Sequence, residues 1–560
     1  MKKLLTLLAL AFCLDTNAQT WDWAKSGNGI GNTTIGTGDE GMAVCTDTIG
    51  NVFATGFFSS PTLTFGTYTI SNAAFSVNGF NVFIAKYNAS GNVLWAKSAG
   101  GTVGDVFGNS ISTDGTGNVF VTGYFSSPTI TFSTYTLTNA GNNYNIFIAK
   151  YDANGNVLWA KSAGGANNDE SNSVSTDATG NVFVTGTFYS PTITFGTYTL
   201  TNSAISAGGN NVFIAKYDAS GNVLWAKRVG GTVSDVGNSV STDAFGNIFV
   251  TGGFSSPTIA FGTYTLTNAS GNNNIFIAKY DANGNVLWAK NPTGTGGNIG
   301  YAVSTDMIGN VFLTGSFACP ILTFGTYTLT NASGSNNAFI TKYDANGNVL
   351  WAKNPTGTGS NVGYALSTDM IGNVFVTGGF SFGPNIVFGT DTLTELASYP
   401  SPDPMFIVKY DANGNVLCAS SLPSGGDDQN GVSVDRFGNA YICADYMDNF
   451  TVGTDTLTFN GLEKVFVAKW FCNRESGIEQ ITNSNEIKVY PNPNNGCFTI
   501  EISSSERQTI SIFDVNGKLV LSQTINGKAS IDANIFQDGV YNISLISSDG
   551  VINKRLVIVK

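Results

Sequence analysis

The side chains that could do chemistry in this chain are carboxylates, because its 560 residues include no histidine. The absence of histidine removes the commonest general base. It also excludes the Ser-His-Asp and Cys-His arrangements and the zinc sites that contain histidine. Two carboxylates could still cleave a glycosidic bond, provided that they occupy different environments. Acidic residues in the more divergent parts of the chain that could supply such a pair are Asp403, Asp427, Asp428 and Asp435.

Two aspartate motifs recur along the chain, and both predict hairpin turns. The first, D-x-x-G-N, places an Asp that accepts backbone hydrogen bonds before a Gly that can adopt positive φ. The second, as in Asp152, Asn154 and Asn156, has the D-x-N-x-N spacing with which calcium loops begin, but no Glu follows to close the loop. We therefore predict no metal and no cofactor, with calcium at these turns as the alternative. The first motif begins at Asp47, Asp114, Asp177, Asp243, Asp306, Asp369 and Asp435.

These motifs belong to a longer repeat, of which residues 180–227 are typical. A fixed period indicates units that bury their apolar faces against their neighbours. Each unit contains two hairpins and so four strands, which we call A to D. Runs such as residues 182–184 and 212–214 do not alternate apolar with polar residues, so both faces of these strands should be covered, as in the blades of a propeller. The tryptophan of strand D recurs at Trp95, Trp159, Trp225, Trp288 and Trp351.

Counting the copies predicts seven units. The strand D motif follows the first six C strands, with Cys418 replacing Trp in the sixth, and the missing copy stands at the N-terminus as residues 21–25. The predicted fold is all-β: a seven-bladed β-propeller of four-stranded blades closed by the N-terminal strand, followed by a small Ig-like β-sandwich. The strand C aromatic residues that give the count are Phe83, Phe147, Phe213, Phe276, Phe339, Phe406 and Phe466.

Lysines also repeat with the units, in strand C as Lys150 and Lys216 and in strand D as Lys161 and Lys227. We interpret both sets as solvated residues that protect the edges of outer strands. A sugar or anion site is the alternative. The strand D tryptophan is interpreted as a packing anchor, because its replacement by Cys418 indicates that no ligand requires it.

An insertion between strands B and C predicts a small hairpin with threonines on one face. Strand parity places all seven hairpins on the same rim as the loops between strands D and A, which differ most from unit to unit. Variable loops on a regular scaffold favour a recognition surface. Two interpretations stay open: a binding platform, or hairpins that only cover blade edges. The candidate binding rim in the third unit comprises Thr192, Thr194, Thr199, Thr201, Asn167 and Asp169.

The two ends of the chain predict export. Lys2 and Lys3, an apolar run and Ala18 form a signal peptide over residues 1–18. A lipoprotein beginning at Cys13 is disfavoured by the bulky Phe12. No later run reaches the ~20 apolar residues of a membrane helix, and a net charge of -12 makes nucleic acid a poor partner. The remaining cysteines, whose pairing the sequence leaves open, are Cys45, Cys319, Cys418, Cys443, Cys472 and Cys497.

Through G-N-V-F-V-T-G and Y-D-A-N-G-N-V-L-W-A-K the repeats resemble the SBBP-type seven-bladed β-propeller of exported bacterial proteins. We assign residues 19–473 to this propeller, residues 474–485 to a polar linker and residues 486–560 to a separate domain. Such glycine-aromatic motifs specify a fold more than a function.

The tail resembles the type A C-terminal sorting domain of the type IX secretion system. The resemblance implies contact with the outer-membrane secretion machinery, a Bacteroidota-type host, and a mature protein that is secreted or attached to the outer cell surface. An ordinary Ig-like accessory domain is the alternative. The residues that carry the resemblance are Pro491, Asn492, Pro493, Gly517, Lys518, Gly539 and Tyr541.

The leading functional hypothesis is a binding or adhesion platform for an extracellular glycan or protein, in which repeated weak sites add through avidity. The alternatives are a carboxylate-dependent polysaccharide hydrolase or lyase acting in the central channel, and a structural component of a surface layer. Near-identical repeats leave little room for an asymmetric active site, so an enzyme is the less favoured class.

Overall fold

The computed structural model divides the chain into two compact units, residues 1–474 and 475–560. Apart from two short 3-10 turns, Phe75–Val77 and Ile205–Ala207, the regular structure of the described residues is β-strand. The residues described are 19–30, 38–77, 79–139, 141, 143–381, 383, 385–394, 404–422, 430–461, 463–472, 487–492, 497–502, 507–514, 519–532, 534, 536–537, 539–547 and 550–558.

The first unit begins with β1 (Gln19–Ser26) and β2 (Asn28–Ile30), and each repeat then adds strands A and B, a small hairpin, and strands C and D. Repeat 1 contains β3 (Asp39–Thr46), β4 (Val52–Phe58), β5 (Thr62–Phe65), β6 (Tyr68–Ser71), β7 (Asn81–Tyr87) and β8 (Val93–Ala99). Repeat 2 contains β9 (Val106–Thr113), β10 (Val119–Phe125), β11 (Thr129–Phe132), β12 (Tyr135–Thr138), β13 (Asn145–Tyr151) and β14 (Val157–Ala163). Repeat 3 contains β15 (Asp169–Thr176), β16 (Val182–Phe188), β17 (Thr192–Phe195), β18 (Tyr198–Thr201), β19 (Asn211–Tyr217) and β20 (Val223–Val229).

The later repeats follow the same plan. Repeat 4 contains β21 (Asp235–Thr242), β22 (Ile248–Phe254), β23 (Thr258–Phe261), β24 (Tyr264–Thr267), β25 (Asn274–Tyr280) and β26 (Val286–Lys290). Repeat 5 contains β27 (Asn298–Thr305), β28 (Val311–Phe317), β29 (Ile321–Phe324), β30 (Tyr327–Thr330), β31 (Asn337–Tyr343) and β32 (Val349–Lys353). After β33 (Thr356–Gly357), repeat 6 contains β34 (Ser360–Thr368), β35 (Val374–Ser381), β36 (Asn385–Phe388), β37 (Asp391–Thr394), β38 (Met405–Tyr410) and β39 (Val416–Leu422). Repeat 7 contains β40 (Gly431–Val434), β41 (Ala440–Tyr446), β42 (Phe450–Val452), β43 (Asp455–Leu457) and β44 (Lys464–Cys472).

The described part of this unit contains seven four-stranded antiparallel sheets, which we number by repeat. In sheets 1 to 6 the four strands come from one repeat, in the order A-B-C-D. In sheet 7 the order is β1-β44-β41-β40, so the N-terminal strand takes the D position. Trp23 of β1 lies opposite Lys469 of β44. Trp225 lies opposite Lys216 in sheet 3 in the same register.

Each sheet is covered on both faces, as the unbroken apolar runs of strands B and C predict. All seven residues of β16 and of β19 are buried. One apolar cluster joins Ile146 of sheet 2 to Val182 and Phe213 of sheet 3. Another joins Val52 of sheet 1 to Val467 of sheet 7. Full burial of such a side chain contributes about 1.5–3 kcal/mol, so the contacts between sheets contribute strongly to stability.

A threonine hydroxyl of the A strands joins consecutive sheets close to the A–B turns. Thr176 Oγ1 donates to the carbonyl oxygen of Thr113 at 2.8 Å. Thr46 Oγ1 of sheet 1 donates to Val434 O of sheet 7 at 3.3 Å, and Val434 N donates to Ser367 Oγ of sheet 6 at 3.1 Å. A hydrogen bond therefore connects each sheet to the next and sheet 7 to sheet 1. The equivalent bonds run from Thr113 to Thr46, Thr242 to Thr176, Thr305 to Thr242 and Thr368 to Thr305.

Near the C–D turns, two donors of one sheet share a carbonyl of the next. Trp159 Nε1 and Lys150 Nζ each donate to Ala219 O at 3.1 Å. The same ammonium lies 5.0 Å above the ring of Phe120. Gly221 of the receiving turn has φ +81°, and a Cβ there would lie 2.9 Å from the Trp159 indole. The shared acceptors elsewhere are Ala153 for Lys86 and Trp95, Ala282 for Lys216 and Trp225, Ala345 for Lys279 and Trp288, and Ala412 for Lys342 and Trp351.

The interpretation of the strand C lysines as solvated edge residues is wrong. Lys150 and Lys216 are each only 6% exposed, because strand C lies between two sheets and the ammonium reaches a carbonyl of the next sheet. Lys161 and Lys227 of the D strands are exposed, as predicted. The strand D tryptophan is a packing anchor, as predicted, and also a hydrogen-bond donor.

Cys418 replaces this tryptophan in sheet 6 and forms a disulfide with Cys472 at the end of β44, with 6.2 Å between the Cα atoms. The bond covalently joins sheet 6 to sheet 7, next to the N-terminal strand. The sequence allowed one or two disulfides without assigning them. Among the described residues the free cysteines are Cys45, Cys319, Cys443 and Cys497.

The second unit contains two antiparallel sheets, ordered β45-β46-β49 and β48-β47-β50-β51, which share one apolar core. Asn492 Oδ1 accepts a hydrogen bond from Val557 N at 2.7 Å, and Tyr541 OH donates to Gln537 O at 2.9 Å. Pro491 directly follows β45, and Gly539 begins β50; Pro493, Gly517 and Lys518 lie outside the described residues. The strands are β45 (Ile487–Tyr490), β46 (Cys497–Ile502), β47 (Arg507–Asp514), β48 (Leu519–Asn526), β49 (Lys528–Asp532), β50 (Gly539–Ser547) and β51 (Gly550–Ile558).

We expect Trp23→Ala to destabilise the protein by about 3–5 kcal/mol, because it removes a buried indole and its hydrogen bond to Ala89 O. Trp225→Ala, the same change inside sheet 3, should cost about as much. Urea unfolding followed by tryptophan fluorescence compares the two. If only Trp225→Ala lowers the midpoint, β1 is not an integral strand of sheet 7.

Candidate binding rim

The hairpins between strands B and C lie at the end of the sheets that also carries the D–A loops, as strand parity predicts. Isolated bridges join the two: Gly164 at the end of β14 pairs with Thr194, and Thr293 pairs with Thr323. The D–A loops that follow repeats 2 and 4 therefore contact the hairpin of the next repeat. The A–B and C–D turns lie at the opposite end of the strands, which we call the turn rim.

The hairpin of repeat 3 presents its threonines to solvent. Thr192 pairs with Thr201 and Thr194 with Thr199, and all four side chains are exposed while Ile193 and its apolar neighbours are buried. Thr194 Oγ1 and Thr199 Oγ1 lie 3.2 Å apart in a hydrogen bond. The hydroxyl groups of these threonines have further donor and acceptor positions, which are exposed on one face of the hairpin. The corresponding threonine pairs are Thr64 and Thr69, Thr131 and Thr136, Thr323 and Thr328, and Thr451 and Thr456.

Tyr198 lies opposite Phe195 at the end of the hairpin turn. Its ring is partly exposed, and its hydroxyl donates to Leu224 O of strand D at 2.6 Å. The bond fixes the hairpin against the outer strand of its own sheet. The tyrosines of repeats 2 and 4 make the same contact, Tyr135 with Leu158 and Tyr264 with Leu287. An aromatic ring next to a threonine face is therefore a repeated feature of this rim.

The two loop residues of the candidate rim differ in their surroundings. Asn167 is exposed, and its amide Nδ2 donates to Tyr189 O at 3.1 Å. Asp169 is fully buried, and its carboxylate accepts hydrogen bonds from Ser190 Oγ at 2.7 Å and Ser190 N at 3.2 Å. The Asp169 carboxylate therefore holds the D–A loop to the B–C segment and does not face solvent.

Burial, partly offset by the hydrogen bonds from Ser190, raises the pKa of Asp169 to about 6. Asp39 and Asp235 occupy the same position in sheets 1 and 4, and burial also raises the pKa of both. In sheet 5 the position is Asn298, which accepts a hydrogen bond from Cys319 Sγ at 3.2 Å. A neutral amide therefore occupies in sheet 5 the position that a buried carboxylate occupies in sheet 3.

The turn motifs have the hydrogen bonds that the hairpin interpretation predicts. Asp152 Oδ1 accepts the backbone N–H groups of Asn154 and Asn156, and Oδ2 accepts Asn156 Nδ2 at 2.8 Å. Partial burial opposes ionisation, but these hydrogen bonds outweigh it and lower the pKa of Asp152. The turn is therefore closed by donors of its own segment. Among the described residues, no three His, Cys, Asp or Glu side chains form a group suited to a metal ion.

Of the carboxylates considered for catalysis, only Asp435 lies within the described residues. Its Oδ2 accepts hydrogen bonds from Asn439 Nδ2 at 2.8 Å and Tyr441 OH at 3.1 Å, so it caps the A–B turn of sheet 7. The A strands of six sheets line a cavity of about 150 Å³, and none of its lining residues is acidic. Representative lining residues are Met42, Ser110, Ser239, Ala302, Tyr364 and Val432.

Comparison with known proteins identifies the tail. Residues 488–559 match the family model described as the secretion system C-terminal sorting domain, which confirms the predicted sorting domain. The protein is therefore exported by type IX secretion and is secreted or held at the cell surface. In the described part of the chain, no helix has the length and hydropathy needed to span a membrane.

The repeats resemble parts of much longer proteins. Over 338 residues the chain is 31% identical to an uncharacterized WD repeat-containing protein of Acanthamoeba polyphaga mimivirus, a match covering 49% of this chain and 24% of that protein. Over 184 residues it is 25% identical to the regulatory protein FlaEY of Caulobacter vibrioides, covering 32% of this chain and 19% of that protein. The chain thus spans less than a quarter of the length of either relative.

Among solved structures, a fungal alcohol oxidase of the AA5 family in complex with copper aligns with 97% of this chain and 100% of its own, at 13% identity and a TM-score of 0.36. At this level of likeness we transfer neither fold details nor activity.

We expect Asp169→Asn to stabilise the protein by about 2 kcal/mol at pH 7.5 and to have little effect near pH 4. Between its unfolded pKa and about pH 6, Asp169 holds a proton only when folded, so wild-type stability falls as pH rises through this window. The amide removes that dependence. Urea unfolding at several pH values gives the difference between wild type and variant.

Asn298→Asp is the reverse substitution and should destabilise the protein at pH 7.5 more than at pH 4. An Asp169→Asn effect that is the same at both pH values would contradict the assignment of the raised pKa to this buried carboxylate.

Proposed function

We propose that residues 19–473 form a closed seven-bladed β-propeller of the SBBP type, preceded by a signal peptide over residues 1–18. Support comes from the hydrogen bonds that join every consecutive pair of sheets and sheet 7 to sheet 1. The apolar cluster shared by sheets 1 and 7 and the cavity surrounded by six A strands agree with a ring. The match to a WD repeat-containing protein supports a β-propeller.

The function that we propose for this propeller is a binding platform for an extracellular glycan or protein, exported by its C-terminal domain. The observation that carries the proposal is the exposed threonine face repeated from hairpin to hairpin on one rim. Hydroxyls and an adjacent tyrosine ring offer the hydrogen bonds and apolar contact that a sugar uses. Several weak sites on one rigid rim bind a repeating polymer through avidity.

The C-terminal domain accounts for the export of the protein. In our proposal residues 474–485 are a linker and residues 486–560 deliver the protein to the outer-membrane secretion machinery, after which the propeller acts outside the cell. In our proposal the binding requires no calcium, and the turn aspartates serve to close the hairpins.

Replacing Thr192, Thr194, Thr199 and Thr201 by valine should weaken binding about two- to fivefold, because it removes hydroxyls but keeps β-branched side chains. Replacing the exposed threonines of all the hairpins should weaken it more than tenfold. A glycan and protein array with the full-length chain finds the ligand, and surface plasmon resonance measures the affinities. Serine replacements, which keep the hydroxyl, are the matched control.

Equal binding by the valine variant and the wild-type protein would show that the hairpins do not form the binding site. Product formation from a bound polysaccharide, abolished by a single Asp-to-Asn change, would replace the binding platform by the hydrolase or lyase.

A chain ending at Gly477 should accumulate in the periplasm of a type IX-competent host, whereas the full-length chain reaches the surface or the medium. Western blots of the cell fractions measure this. The matched control is residues 474–560 fused to an unrelated periplasmic protein, which should be exported. Export of the truncated chain would show that the C-terminal domain is not needed for export.

A further inference from the structure

Five aromatic rings cluster where sheets 1 and 2 meet, at the end of the sheets that carries the hairpins. The ring centroid of Phe107, the second residue of strand A in sheet 2, lies 4.8 Å from that of Phe57 in sheet 1 and 5.0 Å from that of Tyr124. The A strands line the central cavity and begin at this end, so the rings lie at its hairpin side. We call the cluster the aromatic mouth: Phe57, Phe80, Phe107, Tyr124 and Tyr144.

The fold does not require aromatic residues at these positions. Phe107 and Tyr124 form a cross-strand pair between strands A and B. Small and aliphatic residues form the same pair in the later sheets, namely Val236 and Gly253, Ile299 and Ser316, and Val362 and Gly379. Phe80, Phe107, Tyr124 and Tyr144 are partly exposed. Partly exposed rings that only some repeats carry favour a binding role over a core role.

Carboxylates surround the aromatic mouth. Asp105 Oδ2 accepts a hydrogen bond from Tyr144 OH at 3.5 Å. Burial raises the pKa of Tyr124, and the nearby charges of Glu170, Asp105 and Glu40 raise it further. The electrostatic potential at the rings is therefore negative, which attracts positively charged ligands.

The surroundings of Glu170, the second residue of strand A in sheet 3, point most directly to a ligand. Its side chain is half-buried, and burial raises its pKa. Among the described residues, no cation offsets this effect and no hydrogen bond or ion pair reaches the carboxylate. Val236 and Ile299 occupy the same position in sheets 4 and 5, so the fold needs no charge there. Because charges taken out of water are normally paired, a half-buried carboxylate in this state favours a cation as its ligand.

A buried hydroxyl beside Glu170 adds a second acceptor. Thr187 pairs with Glu170 across strands A and B, and it occupies in sheet 3 the position of Tyr124 in sheet 2. It is 2% exposed, and within the described ranges its Oγ1 has no hydrogen-bond partner. Cross-strand partners project from the same face of a sheet, so one ligand with several N–H donors could reach both side chains.

The basic side chains at this end of the sheets are engaged elsewhere. Lys464 of sheet 7 is 4% exposed and interacts with Asp39. Arg228, on the outer strand of sheet 3, donates to Asn211 Oδ1 at 3.0 Å. The exposed lysines of the D strands lie three strands away from strand A in the sheet order A-B-C-D. The negative charge of Glu170 is therefore left for a ligand to neutralise.

We propose that the aromatic mouth binds a lysine side chain of a partner protein, with the ammonium at Glu170 and Thr187 and the alkyl stem against the rings. An ammonium has three N–H donors and no acceptor, which suits a carboxylate and a hydroxyl oxygen. A positive charge is also attracted to the face of an aromatic ring. Phe80 and Phe107 offer apolar contact to the stem and no hydrogen bonds to the hydroxyls of a sugar. The site is separate from the threonine faces of the hairpins and does not rest on their proposed function.

The test uses the full-length protein and the peptide Gly-Gly-Lys-Gly-Gly with both ends blocked, so that lysine carries its only charge. The same peptide with Nε-acetyl-lysine lacks the charge and should bind at least about tenfold more weakly. Glu170→Gln should weaken binding of the lysine peptide about tenfold. Asp448→Asn, which removes a carboxylate from sheet 7, is the matched control and should leave it unchanged. Ligand-observed NMR titrations measure the dissociation constants.

The rings are tested at one position. Tyr124→Leu removes the aromatic face and should weaken binding of the lysine peptide about threefold. Tyr124→Phe keeps the face and should bind the peptide more tightly than Tyr124→Leu does. Equal binding by these two variants would contradict the contact between the ammonium and the rings.

Glu170→Gln should unfold at the wild-type urea concentration or above it, because it removes a half-buried charge. A lower midpoint would show that the carboxylate supports the fold, and it would overturn the proposal. Equal binding of the two peptides to wild type, no binding of either, or equal binding of the lysine peptide to wild type and Glu170→Gln also overturns it. Glucosamine that binds more tightly than the lysine peptide and depends on Glu170 would make the ligand an amino sugar instead.

Discussion

The repeat region depends on the contact between neighbouring sheets, because each sheet has two apolar faces and can be stable only between two others. Strands B and C have no solvent-facing side, and the apolar clusters span the gap from each sheet to the next. The N-terminal strand and the disulfide between Cys418 and Cys472 both strengthen the contacts of sheet 7. Sheet 7 is where chain connectivity alone would leave a free edge.

This contact also decides what the polar residues do. The tryptophan and lysine that recur in every regular unit converge on one carbonyl of the following sheet, and the aspartates close the turns. The side chains that repeat from unit to unit are therefore already engaged in contacts that stabilise the fold. Freedom to bind is left at positions whose side chains remain exposed, namely the threonine faces of the hairpins and the partly exposed rings of the aromatic mouth.

Sequence reasoning succeeded where a property is local or periodic. It predicted the two hairpins of each unit, the turn aspartates, the exposed threonines and the sorting domain. The prediction that Lys150 and Lys216 are solvated was wrong. A repeat period shows that a position recurs, but it does not show which part of the neighbouring sheet the side chain contacts. In the sequence Asp169 follows a variable loop and so resembles a ligand contact, yet it begins β15, and Ser190, 21 positions along the chain, binds its buried carboxylate.

The sequence by itself determined the number and order of the strands, the turn chemistry and the route of export, since each is written in short motifs and their spacing. Only the tertiary structure decided which donor meets which carbonyl, and that Cys418 bonds Cys472 across 54 positions. These are relations between residues distant in the chain. They arise when the sheets pack, and no local pattern encodes them.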